Sequence, residues 1–192
     1  MNFDSLISED ALLNYARLSY EIGNAYQNTS LLLASFIDQY PKNEVVEEIE
    51  QLLIDSYVNS RNYNAALMIL KKKSGSQYST ALQKVNYLKA IALYKSGLFE
   101  DSIEYFNESL KSKKDQNIAA NCLFWRAQAA YELNDYSAVI AGLSEFEKHP
   151  FASKVYGFEN LSYHLGYANF KLKNYKASKV LFEQKKKKKN IS

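Results

Sequence analysis

The stretch Gly97-Leu98-Phe99-Glu100-Asp101-Ser102-Ile103-Glu104-Tyr105-Phe106 decides the fold. Gly97 can take the left-handed backbone that ends a helix. Beyond it, Ile103, Phe106 and Leu110 recur at three- and four-residue steps, one face of an α-helix. Before it, Val85, Leu88, Ala92 and Leu93 do the same. The segment therefore reads as two helices joined by a tight turn.

The same turn recurs along the chain. YEIGNAY ends at Tyr26, YVNSRNY at Tyr63, LYKSGLF at Phe99, AYELNDY at Tyr136 and NFKLKNY at Tyr175. These aromatic anchors lie 37, 36, 37 and 39 residues apart. Asn62, Asn134 and Asn174 stand just before anchors, and asparagine tolerates a left-handed conformation next best after glycine. Longer gaps at Tyr40-Pro41-Lys42-Asn43, Ser74-Gly75-Ser76, Lys113-Lys114-Asp115 and His149-Pro150 read as loops between units. The six glycines and two prolines fit long helices with short connections better than a β-sandwich.

A period in the high thirties with two helices per unit resembles the tetratricopeptide repeat (TPR) family, whose unit is about 34 residues. The resemblance spans Ala11 to Phe182. The family's small residue in the first helix corresponds to Ala90, Ala127 and Gly166. Its small residue after the anchor corresponds to Thr29, Ala66, Ser102 and Ser178, with Val139 departing. Its large apolar residue corresponds to Leu33, Leu70, Phe106, Leu143 and Phe182, and Pro41 falls at the family's terminal proline. Arg17 and Ile54 depart from the small position, and Glu50, Asn86 and Ser162 from a large apolar one. The long period looks like the irregular TPR arrays of large bacterial scaffold or envelope proteins.

The resemblance implies an all-α, right-handed α–α superhelix of about five helix-turn-helix repeats. The expected organisation is one solenoid over residues 1–184, with repeats at 10–42, 43–78, 79–115, 116–152 and 153–184, followed by a lysine-rich tail at 185–192. It further implies that first helices line a concave groove. Carried over, the groove residues are Lys84, Tyr87, Ile91 and Tyr94, then Asn121, Phe124, Gln128 and Tyr131, then Tyr163, Tyr167 and Phe170. Lys95, Glu132, Asn160 and Lys171 fall at the same kind of position. Aromatics at this spacing also serve a core, so each is weighed against packing. The expected partner is a peptide or another protein, and the chain is expected to form part of a longer array. The Lys/Asn pattern that clamps a chaperone's C-terminal carboxylate is not reproduced.

Charge narrows the partner class. The formal net charge is +3, but Lys185 to Lys189 contribute five positives, so the remaining chain stands at −2. A near-neutral body has no general attraction for phosphate backbones, which argues against nucleic acid. RNA-reading or glycan-binding helical repeats are the alternatives, glycans through the groove tyrosines. The lysine run reads as a solvated helix end before it reads as a lipid or nucleic-acid contact. Lys71-Lys72-Lys73 suits the negative end of a helix dipole.

Chemical motifs are missing. Cys122 is the single cysteine, in an apolar stretch, so no internal disulfide forms. His149 beside Pro150 reads as a loop residue and His164 as a packing or surface residue. No phosphate loop, calcium loop or nucleophile elbow occurs. The expectation is a non-enzymatic chain with no cofactor, metal or small-molecule substrate. Met1 to Asp10 lacks a basic signal-peptide start, and no apolar run approaches the roughly 20 residues that span a bilayer. A soluble chain is expected, from a parent that is cytoplasmic or periplasmic and envelope-associated. Val180, Leu181 and Phe182 have no evident following partner in the sequence, so self-association through an uncapped last repeat is a further expectation.

Overall fold

The computed structural model describes residues 3–73 and 75–189, and the side chains among them except at 3–6, 76, 77 and 185–189. Among the described residues are ten α-helices: α1 Phe3–Ile22, α2 Thr29–Gln39, α3 Val46–Asn59, α4 Tyr63–Leu70, α5 Ser76–Lys95, α6 Phe99–Leu110, α7 Gln116–Glu132, α8 Tyr136–Glu147, α9 Leu161–Lys171 and α10 Tyr175–Lys189. They form two compact units that divide after Lys73. The first holds two helix pairs, the second three.

Four of the five anchors begin second helices: Tyr63, Phe99, Tyr136 and Tyr175 are the first residues of α4, α6, α8 and α10. Each is preceded, two residues earlier, by a left-handed residue: Arg61, Gly97, Asn134 and Lys173. Asparagine thus holds this position once, at Asn134, and not at Asn62 or Asn174. The backbone explains why. Asn62, Leu98, Asp135 and Asn174 donate their N–H groups to the carbonyls of Tyr57, Leu93, Ala130 and Asn169, at 2.7–3.0 Å. These six-to-one bonds close a helix through the residue before the donor, whatever its side chain. Asn62 and Asp135 instead cap the next helix, accepting from the N–H groups of Ala65 and Ala138.

The first turn differs. Its left-handed residue is Gly23, six residues before α2 begins at Thr29. Asn24 holds the extra residues by accepting from the N–H groups of Tyr26 and Gln27. Tyr26 therefore projects from the loop, 95% exposed, and is no packing anchor. Thr29 takes that place, 34 residues before Tyr63. Leu32 and Phe36, both buried, then hold the small and large positions assigned from the sequence to Thr29 and Leu33. The first-helix position corrects likewise. Ala16, Ala90, Ala127 and Gly166 each lie seven residues before the left-handed residue, and all four are buried. Arg17 points outward to Glu48 through two bonds of 3.0 and 2.7 Å. Ile54 remains a departure, fully packed.

In the first unit, Ala16, Leu33, Phe36, Ile49 and Leu53 form the core. Glu50, at a position the family makes apolar, pairs with Lys73 at 2.5 Å.

In the second unit each helix packs on its neighbour from α5 to α10, and α5 also meets α7. Close approach needs the small residues. A methyl group at Gly142 would stand 3.1 Å from Ala127 Cβ, and one at Gly166 only 2.9 Å from the Phe182 ring. Phe182 therefore packs inward over Gly166, and Leu181 joins the core, leaving Val180 half-exposed. The last pair starts later than residue 153, because two 3-10 turns, Ala152–Lys154 and Phe158–Asn160, precede α9. Ala152, Val155 and Phe158 from this segment enter the core with Phe124, Leu143 and Phe146. The backbone of Lys185 to Lys189 continues α10; their side chains, and residues 190–192, lie outside the described residues.

Candidate interaction face

Ring contacts join the first helices of the three-pair unit. Tyr94 on α5 packs edge-on against Trp125 of α7 at 5.1 Å. Tyr131 on α7 lies 5.6 Å from Tyr167 on α9 and 6.3 Å from His164. Tyr163 continues past His164 to Phe182. Lys171 lies over the Tyr167 ring, 5.3 Å from its centroid, and 6.0 Å from that of Tyr136.

The sequence-assigned residues divide accordingly. Lys84 is exposed, and Asn121, Gln128, Tyr94, Tyr131 and Tyr167 are half-buried. Tyr163 and Phe170 are about half open to solvent. Tyr87 and Ile91 are half-buried too, packed against Ala90, Phe106 and Cys122, so they serve chiefly as core. Phe124 is a correction: it is 5% exposed, in contact range of Trp125 and Phe146, and belongs to the core. Gly157 presses on it, with space for no Cβ between them. Asn121 spends its amide on the Asn117 carbonyl one turn back.

Electrostatics favour the neutral hydroxyl at two tyrosines of this face. Burial raises Tyr94, assisted by the Glu132 carboxylate. Burial, then the neighbouring Tyr167, Tyr136 and Tyr163 hydroxyls, pushes Tyr131 up to about 12 from 10.0. The hydrogen bond to Tyr167 raises Lys171. A tyrosine raised in the folded state favours the protonated form, so its contribution to stability is complete below pH 10 and lost as pH climbs through about 12. Tyr131→Phe removes that dependence. Phenolate absorbance should lose its latest-titrating component in the variant, and stability should fall less steeply over this range. An unchanged titration would remove Tyr131 from the cluster.

The remaining reactive groups are occupied structurally. Cys122 is buried, donates to Ser109 Oγ at 3.3 Å, and is pushed up to about 11 by burial. His149 Nδ1 accepts from the Phe151 N–H at 3.2 Å. Among the described residues no group of three His, Cys, Asp or Glu side chains could hold a metal, and no helix is long and apolar enough to cross a membrane.

Sequence reading missed three residues. Trp125 and Tyr136 complete the ring contacts. Gln83, fully buried in α5, bonds Asp115 twice, accepting from its N–H and donating to its carbonyl, both at 2.9 Å. The aromatic anchor signalled Tyr136; nothing in a single polar residue signalled Gln83.

No protein-family model matches the chain, and neither does any curated protein sequence. Solved structures do. The chain is similar to MamA from residue 41 to its end, from Desulfovibrio magneticus RS-1, at 13% identity, a TM-score of 0.50 and 96% coverage of both chains. It is similar to the RS-1 MamA ArsTM double mutant at 13% identity, a TM-score of 0.50 and 93% coverage of both. A putative kinesin light chain from Podosopora anserina, with nearly identical TPR-like repeats, aligns at 13% identity, full coverage and a TM-score of 0.44. With the repeated turn geometry, the MamA likeness defines the fold: an all-α array of TPR-like helix pairs.

Proposed function

We propose that this chain is a non-enzymatic interaction module that binds a peptide or partner protein along the first-helix face of its three-pair unit. One observation carries the reading: on α7 and α9, Tyr131, Tyr167 and Tyr163 form a half-open row tied together by ring contacts through His164, and Tyr94 of α5 joins α7 separately through Trp125. Rigid aromatic rings with polar tips give a large contact area at low entropic cost and can bond a peptide backbone. Lys84, exposed on α5, and Gln128, half-buried on α7, are the polar side chains assigned to the same face. A photo-crosslinking residue placed at Lys84, Asn121 or Tyr163 should capture the same partner from a lysate of the source cells. One placed at Glu104, exposed on the second helix α6, should capture none. Equal capture at Glu104, or none at the three face positions, overturns the assignment.

A further inference from the structure

A groove recurs between second helices. In the second unit it lies between α6 and α8, over α7, and Arg126 spans it. That guanidinium donates to Asn107 Oδ1 of α6 at 2.9 Å and to Glu145 Oε2 of α8 at 2.6 Å. In the first unit the equivalent groove, between α2 and α4 over α3, has a volume of about 360 Å³. The three strap positions have counterparts there. Ile37 is the ninth residue of α2, as Asn107 is of α6. Leu53 stands eight residues before the left-handed Arg61, as Arg126 does before Asn134. Lys72 follows the first residue of α4 by nine, as Glu145 follows that of α8. Isoleucine, leucine and lysine cannot form the strap, so the first groove is left unspanned.

Its lining selects a kind of ligand. Ile37, Leu53, Tyr57, Met68 and Ile69 make the walls mostly apolar, and the volume is that of a small-molecule site. Four charges border it, Asp38 and Glu50 against Lys72 and Lys73, and they sum to zero. Asp38 and Lys72 are exposed. The Glu50 side chain is only 13% exposed, and its Oε2 is buried. Lys73 neutralises that oxygen across 2.5 Å, in ion-pair range but outside hydrogen-bond geometry, so Oε2 accepts no hydrogen bond. A charged ligand would give up its hydration for attraction and repulsion in equal number. A neutral ligand with an O–H or N–H group instead meets a buried acceptor that lacks a donor.

We propose that the α2–α4 groove binds a small uncharged aromatic molecule bearing one hydroxyl or N–H donor. The donor meets Glu50 Oε2, and the ring lies against Tyr57 and Met68, side chains that both favour contact with an aromatic ring. The site belongs wholly to the first unit, so it goes beyond the first-helix face of the second and does not rest on it.

The test uses the full chain at pH 7 and follows the carbon-13-labelled methyl of Met68, one of only two methionines, by NMR. 2-Naphthol should shift this signal saturably and bind about tenfold more tightly than naphthalene, the worth of one hydrogen bond to a carboxylate. The ions 2-naphthoate and 2-naphthylmethylammonium should both bind more weakly than 2-naphthol. Glu50→Leu should erase the preference for 2-naphthol over naphthalene. Ala65→Leu, which pushes a half-buried wall of the groove inward, should weaken every probe about tenfold, and it keeps the test open if Glu50→Leu perturbs folding. Equal affinity for 2-naphthol and naphthalene overturns the proposal, as does tighter binding of either ion. So does the absence of saturable binding at Met68, or binding that ignores both variants. N-acetyltyrosinamide carries a phenol on a peptide backbone. If it binds more tightly than 2-naphthol, the groove takes a partner protein's side chain, and the small-molecule proposal falls.

Discussion

Replacing Gln83 by alanine lowers the stability of the three-pair unit by about 3–4 kcal/mol, more than its polar character would suggest. The side chain is fully buried, and its amide forms a closed two-bond pair with the backbone of Asp115. Asp115 is in turn the cap of α7, accepting from the Ile118 N–H at 3.0 Å. Gln83's own carbonyl accepts from Ser109 Oγ at 2.8 Å, and that hydroxyl accepts from Cys122. One amide thus fixes where the next repeat begins. Alanine leaves an amide and a carbonyl short of partners, each costing about 1–3 kcal/mol where water cannot reach them. It also opens a side-chain-sized void. Gln83→Leu separates the two effects, because leucine refills the volume and restores no bond. If the bonds dominate, leucine recovers little; recovery to within about 1 kcal/mol of wild type would show that volume alone mattered. Urea unfolding followed by the fluorescence of Trp125, the single tryptophan, reports directly on this unit.

That clamp shows where the sequence could be read and where it could not. Periodicity located Phe99, Tyr136 and Tyr175 because a helix start is marked by local residues: a turn, a cap and an apolar stripe. It misplaced the first turn because Tyr26 keeps the 37-residue spacing by coincidence, while the loop from Gly23 to Thr29 carries four residues more than the others. It misassigned the left-handed positions because hydrogen bonds closing a helix, rather than residue preference, put Arg61 and Lys173 there. The face itself was legible as a row of tyrosines. Phe124 was not, because what covers it is the irregular segment around Gly157, and no period describes how a loop packs. Gln83 follows the same logic. A lone glutamine on a helix reads as solvated until its partner, 32 residues away, is known.

Phe146→Ala carries the largest expected effect, about 3–5 kcal/mol. Phe146 is fully buried, 5.4 Å from the Phe124 ring and 6.1 Å from Phe158, in the cluster that holds Leu143, Ala152 and Val155. It therefore ties the α7–α8 pair to the irregular segment leading to α9. Truncation removes the apolar burial and leaves a void that helices fixed by Gly142 against Ala127 cannot close. Because the segment from Ala152 to Asn160 depends on this ring more than the helices do, it should loosen first. Hydrogen exchange at Val155 and Phe158, whose N–H groups bond Ala152 and Val155 carbonyls, should accelerate beyond the change in global stability. Phe146→Leu, which keeps most of the volume, should retain protection there and cost under half as much. Uniform acceleration across α5 to α10, with no excess at these two amides, would mean that Phe146 supports the unit as a whole and does not pin the segment.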